Sequence, residues 1–148
     1  MIILNYILHL WGDRVTFIDN RIKVKSELND ITTAWLYEAS GEIQSATQRN
    51  QTRVDTGKTK SSWTYVVDEN KGEATVGSPD QNAIWEEFGT GEYALNGNGR
   101  KKPWKYQDSK GNWYTTKGKK PLRAFHNAFT VNKDKIQRAL ENKLKGMN

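Results

Sequence analysis

Apolar residues at helical spacing in the first third of the chain narrow the fold more than any other feature. Leu28, Ile31, Trp35, Ala39, Ile43 and Ala46 follow one another at intervals of three and four, which makes one stripe over about five turns. Asp30, Glu38, Glu42 and Gln44 fall mainly off it. Ser26 stands just ahead and can accept from the free amides of a first turn, while Glu27 and Asp30 suit the positive end of a helix dipole. The spacing predicts an amphipathic helix over about 27–50, one face of which has to be covered.

Strands are available to cover it. Residues 14–25 alternate at Val15 and Phe17 and again at Ile22 and Val24 around Asp19-Asn20, the pattern of a small hairpin. Residues 61–69 read as a strand, Asn70-Lys71-Gly72 as a turn with glycine where a positive φ is wanted, and 73–77 as the returning strand. Residues 82–88 are apolar on one side (Ala83, Ile84, Trp85, Phe88) and fit a helical turn or a third strand. Within the glycine-rich stretch 92–120, Trp104-Lys105-Tyr106 and Trp113-Tyr114 flank Asp108 to Asn112 as a second hairpin. Pro121 suits a helix start. Leu122, Phe125, Phe129, Ile136, Leu140 and Leu144 continue as a C-terminal helix, with Asn132 as a place to interrupt or re-cap it.

The order predicts an α+β fold: an antiparallel sheet packed against a long helix in the N-terminal half and a C-terminal helix, with an extended basic aromatic hairpin. At 148 residues the chain suits a single domain, with residues 1–25 as an N-terminal arm and 26–148 as the body. The run Met1–Trp11 is far shorter than the roughly 20 residues of a bilayer span and lacks the basic n-region of a signal peptide. As a strand or as a short helix it is apolar on both faces, so it has to dock on its own core or on a neighbour. No membrane association is expected.

Composition removes several chemistries. No cysteine is present, so a disulfide scaffold, a Cys-based zinc site and a thiol nucleophile are excluded. Two histidines, His9 and His126, make a His-rich metal site or a Ser-His-Asp triad a poor fit. Asp55-Thr56-Gly57 is the triplet of aspartic proteases, in which two carboxylates share a proton between apolar strands. Here it lies between Arg53 and Lys58-Thr59-Lys60, which describes a solvated structural turn. Glu86 and Glu87 are adjacent, so strand or helix geometry aims them apart rather than at one bond. Gly89-Thr90-Gly91 and Gly97-Asn98-Gly99 match no nucleotide-binding pattern. No enzyme activity, cofactor or metal is expected.

Charge is concentrated in one place. Residues 100–120 hold eight basic side chains against Asp108, a net +7, whereas the rest of the chain sums to −1. Lysines interleaved with Trp and Tyr suit phosphates and bases. They equally suit an arm that meets an acidic neighbour, for which Glu86, Glu87 and Glu92 are candidates.

Three ordered stretches carry a family resemblance. They are Val54-Asp55-Thr56-Gly57-Lys58-Thr59-Lys60-Ser61-Ser62-Trp63, then Trp85-Glu86-Glu87-Phe88-Gly89-Thr90-Gly91, then Gly118-Lys119-Lys120-Pro121-Leu122-Arg123-Ala124-Phe125 with Ala128-Phe129. Together, over about residues 26–145, the chain resembles the minor tail-component family of long-tailed bacteriophages, whose members act in head–tail joining or tail completion. The segment from Trp104 to Thr116 resembles the variant common in phages of Gram-positive hosts. Leu122-Arg123-Ala124 departs from the family's second proline, and residues 1–25 have no counterpart.

The resemblance implies a structural virion protein of the neck or upper tail, assembled in the host cytoplasm. It implies a ring of copies of itself, a hexamer by analogy, in contact with neighbouring connector and tail proteins. On that basis Trp85, Glu86, Glu87, Phe88, Trp104 and Trp113 are candidate subunit contacts. Lys101, Lys102, Lys105 and Lys110 are candidates to face genomic DNA in the channel, without reading its sequence. The alternative is a nucleic-acid-binding protein that uses the 100–120 hairpin as its contact surface.

Overall fold

A computed structural model describes residues 21–147. The run Met1–Trp11, His9 and the first half of the hairpin expected over 14–25 lie outside the described residues.

Helix α1 (Arg21–Asn50) carries the apolar stripe. It reaches further back than the sequence indicates: Ile22 and Val24, expected on a strand, and Ser26, expected as the N-cap, are all within it. Alternation selects a strand only where a sheet buries one face, and residues 21–26 are exposed throughout. Arg and Lys favour helix there, aided by a Lys23–Glu27 pair at 3.8 Å.

The buried surface of α1 is wider than one stripe and shifted toward its C-terminal half. Leu36, Ser40, Ile43, Ala46 and Thr47 are buried, while Leu28 is exposed. The reason is two-sided packing, with the C-terminal helix against one flank and the first hairpin against the other. Ser40 and Thr47 tolerate burial because each hydroxyl donates to the carbonyl four residues back, at Leu36 and Ile43.

After α1 the chain turns through Asp55-Thr56-Gly57 into a short helix, α2 (Lys58–Ser61). Ser61 ends this helix and Ser62 is its C-cap, so the strand expected from 61 starts later. Strands β1 (Thr64–Asp68) and β2 (Glu73–Gly77) pair antiparallel, with Gly72 at φ 66° in the connection. Helix α3 (Gln81–Phe88) settles the choice left open by the sequence. Strands β3 (Trp104–Gln107) and β4 (Trp113–Thr116) form the second hairpin. Helix α4 (Ala124–Lys145) runs unbroken through Asn132, whose Nδ2 donates to the Ala128 carbonyl at 2.8 Å. It begins three residues after Pro121, because Arg123 adopts a left-handed conformation at φ 56°.

The fold is α+β, with the strands divided between two separate two-stranded sheets. Helices α1 and α4 run antiparallel: Asn50 Nδ2 donates to the Ala124 carbonyl, and Trp35 Nε1 to that of Ile136 at 2.9 Å. The β1–β2 hairpin lies on α1 through Tyr65, whose ring meets Tyr37 edge-on at 6.4 Å. Among the described residues no other element packs extensively on β3–β4, which forms an arm.

Candidate functional site

The three motif stretches, far apart in sequence, meet at the start of α4. Trp63, 6 % exposed, stacks its ring on Phe125 at 5.7 Å with the planes 2° apart. Its carbonyl accepts from Gln44 Nε2 at 2.9 Å and Gln48 Nε2 at 3.3 Å, which fixes the first stretch against α1. Thr59 donates to Asp80 Oδ2 at 2.7 Å and accepts from Asn82 Nδ2 at 2.9 Å. The Ser62 and Ser78 hydroxyls meet at 2.6 Å. The hydroxyl-rich turn thus holds the segment that enters α3.

Glu86 and Glu87 are buried and engaged within the chain. Glu87 Oε2 accepts from the Phe125 amide and Oε1 from the His126 amide, both at 2.9 Å. The carboxylate from α3 therefore caps α4, supplying the acceptors and the negative charge that its first turn lacks. Glu86 lies 2.6 Å from Lys119 Nζ and 3.2 Å from Arg53 Nη1, and its backbone carbonyl accepts from Leu122 at 2.6 Å. Both carboxylates, expected at a subunit contact, thus have partners within their own chain. Adjacent residues aim apart, as the sequence indicates, but both directions lead into the body.

Gly89-Thr90-Gly91 and Lys117-Gly118-Lys119 form a backbone clasp. The Thr90 amide donates to the Lys119 carbonyl, the Glu92 amide to that of Lys117, and the Lys119 amide to Thr90 Oγ1, each at 2.9 Å. A Cβ on Gly91 would run into the Lys117 carbonyl, one on Gly118 into that of Thr90, and one on Gly99 into that of Gly91. These glycines bring three backbones into contact. Arg53, Thr90 and these approaches escape sequence inspection, although the glycine clusters mark where close contact occurs.

Asp55 is exposed on the rim of an open cleft of about 730 Å³, with Arg53, Lys58 and Lys60 beside it. Gly57 takes φ 81°, so the triplet is a turn. His126 is exposed and its backbone amide serves the cap.

The basic segment separates into two parts. Lys117 pairs with Glu92 at 3.8 Å and Lys119 with Glu86, while Lys120 Nζ lies 5.7 Å over the Tyr93 ring. These belong to the clasp. In the arm, Arg100 lies over the ring of half-buried Trp104 at 5.5 Å. Lys101, Lys102, Lys105 and Lys110 are exposed and have no carboxylate partner among the described residues. Asp108 shapes the arm's tip, accepting from the amides of Lys110 at 2.9 Å and Asn112 at 2.8 Å, and the Asn112 amide chiefly holds its carboxyl below the usual value of 3.8. Cross-strand Tyr106 and Tyr114 stack at 5.6 Å. Trp113 is 67 % exposed. Trp85 and Phe88 are also exposed, beside Ile84 on the outer side of α3.

No family profile, curated protein or solved structure matches the chain. Among the described residues no helix is long and apolar enough to cross a membrane, and no group of three or more acidic or histidine side chains is placed to hold a metal ion.

Proposed function

We propose that the chain is a structural, non-enzymatic virion protein of a long-tailed bacteriophage. It assembles as a ring, a hexamer by analogy, at the head-to-tail interface, in tail completion or head–tail joining. The observation that carries this reading is the convergence of the three resembling stretches on one interlocked unit. The first stretch contributes Trp63 to the aromatic stack, the second a helix cap with a buried ion cluster, and the second and third together the glycine clasp. Motif residues with these partners are accounted for as scaffold.

The surface supports assembly. Large apolar side chains such as Ile84, Trp85, Phe88, Trp113 and Phe129 are exposed, whereas the buried apolar set among the described residues is small and rich in alanine. Exposed apolar surface beside a sparse core fits a protein that completes its burial by association. The test is mass spectrometry and electron microscopy of purified particles. The chain is expected in intact particles as a ring at the neck; its absence from them, or its presence as isolated monomers, would reject the proposal.

Nucleic-acid binding is the second reading, favoured by the four arm lysines without carboxylate partners. It predicts DNA affinity that falls by orders of magnitude between about 50 and 200 mM salt and is lost when Lys101, Lys102, Lys105 and Lys110 become Ala. A flat salt response would reject it.

A further inference from the structure

Glu86 and Glu87 are buried and Glu92 pairs with Lys117 in its own chain, and the β1–β2 hairpin presents a more open receptor for the basic arm. The register places Asp68 directly opposite Glu73, and Val66 opposite Thr75. Tyr65, Val67 and Val76 are half-buried and Tyr65 meets α1, so strand alternation puts Thr64, Val66, Asp68, Glu73 and Thr75 on the outer face. That face has an exposed apolar centre, Val66 at 67 %. Its acidic pair is frustrated, because like charges directly opposite are destabilising. Lys71 in the turn approaches Asp68 at 3.5 Å, and no cation is paired with Glu73 among the described residues.

The arm offers the complement. Its register sets Lys105 opposite Thr115 and Gln107 opposite Trp113, so these four share one face, the other being taken by Trp104 and the Tyr106–Tyr114 stack. The Lys105 face therefore carries one exposed apolar group, Trp113, and one cation with no carboxylate partner among the described residues. The arm is a two-stranded sheet on which no other element packs extensively among the described residues, a unit marginal alone. We propose that the Lys105–Trp113 face of the arm docks on the outer face of the β1–β2 hairpin of a second copy of this chain. Trp113 covers Val66, and Lys105 relieves the Asp68–Glu73 pair. The two surfaces differ, so the contact is head-to-tail and propagates into a ring or a filament. This rests on the assembly reading only in taking a second copy as the occupant.

The cysteine-free sequence makes the test direct. Copies carrying Thr75→Cys are mixed with copies carrying Thr115→Cys and mildly oxidised. Mixed dimers are expected, with few dimers from either alone, and a chain carrying both should give a ladder of oligomers. Adding Lys105→Glu to the Thr115→Cys copy should lower the yield about tenfold, and adding Glu73→Lys to the Thr75→Cys copy should restore it. Melting curves confirm that each variant is folded. Dimers only between like copies, no cross-linking of folded protein, or a yield indifferent to Lys105→Glu would each overturn the proposal. Absent cross-linking with DNA retention lost in Lys105→Glu would make nucleic acid the occupant of the arm. A neck ring seen in particles without this cross-link removes the contact and leaves the assembly reading intact; the cross-link with no chain in particles does the reverse.

Discussion

A methyl group at Gly91 or Gly118 would occupy the space of a backbone carbonyl, at φ values of 61° and 128° that L side chains rarely adopt. Gly91→Ala and Gly118→Ala are therefore expected to cost about 3 kcal/mol or more each, combining left-handed strain with overpacking. Gly72, at φ 66° with open space around it, should cost only about 1 kcal/mol as Ala. Urea denaturation of the three variants measures the contrast. Glu87→Gln removes the charge and one acceptor from the start of α4, and about 1–2 kcal/mol should be lost. Glu86→Gln leaves Arg53 and Lys119 without their counter-ion; both remain partly in water, which limits the loss to about 1–3 kcal/mol. For Asp108, a folded value below 3.8 means its contribution is fully present above the unfolded value and is lost as pH falls through the folded one. The Lys110 and Asn112 amides should thus lose their characteristic NMR shifts in a transition whose midpoint lies below 3.8, and the Asp108→Asn arm should lack this transition.

Among the elements, the two hairpins respond to substitution in opposite ways. Glu73→Lys replaces a like-charge cross-strand pair by an opposite one, so the isolated chain should gain about 0.5 kcal/mol. Trp113 is exposed on an arm on which no other described element packs extensively, and Trp113→Ala should change stability by less than about 0.5 kcal/mol. Thermal denaturation at low protein concentration reads both. The same elements show what the residues made legible. The stripe from Leu28 to Ala46 located α1, and Asn70-Lys71-Gly72 and Asp108 to Asn112 located the turns, because helix period and turn chemistry act over a few residues. The start of α1 was not legible, since the alternation of Ile22 and Val24 signals a strand only if a sheet lies beside it. Nor were the roles of Glu86 and Glu87: their partners are Lys119, Arg53 and the amides of Phe125 and His126, more than thirty positions away. Local pattern carries no information about such pairings. The exposure of Asp55 was legible, because cations on both sides describe a wet turn.

For the molecule as a whole, α1 and α4 form the frame, β1–β2 covers one flank of α1, and α3 with the clasp locks the start of α4. Buried apolar side chains gather at this junction, whereas Ile22, Val24 and Leu28 at the other end of α1 face solvent. Stability should accordingly depend on protein concentration, since association buries apolar surface that the described residues leave open. A melting temperature that rises with concentration at low salt is the expected outcome. The clasp has one further consequence. Residues 99 and 117 are held beside Gly91 and Glu92, so the arm leaves and re-enters the body at nearly the same point. In engineering terms it is a cassette: residues 100–116 can be exchanged for a short Gly-Ser link, or for a graft of another length, without stretching the scaffold. Loop length itself alters the closure entropy only slowly. One body could thereby be fitted to different neighbours through its insert alone.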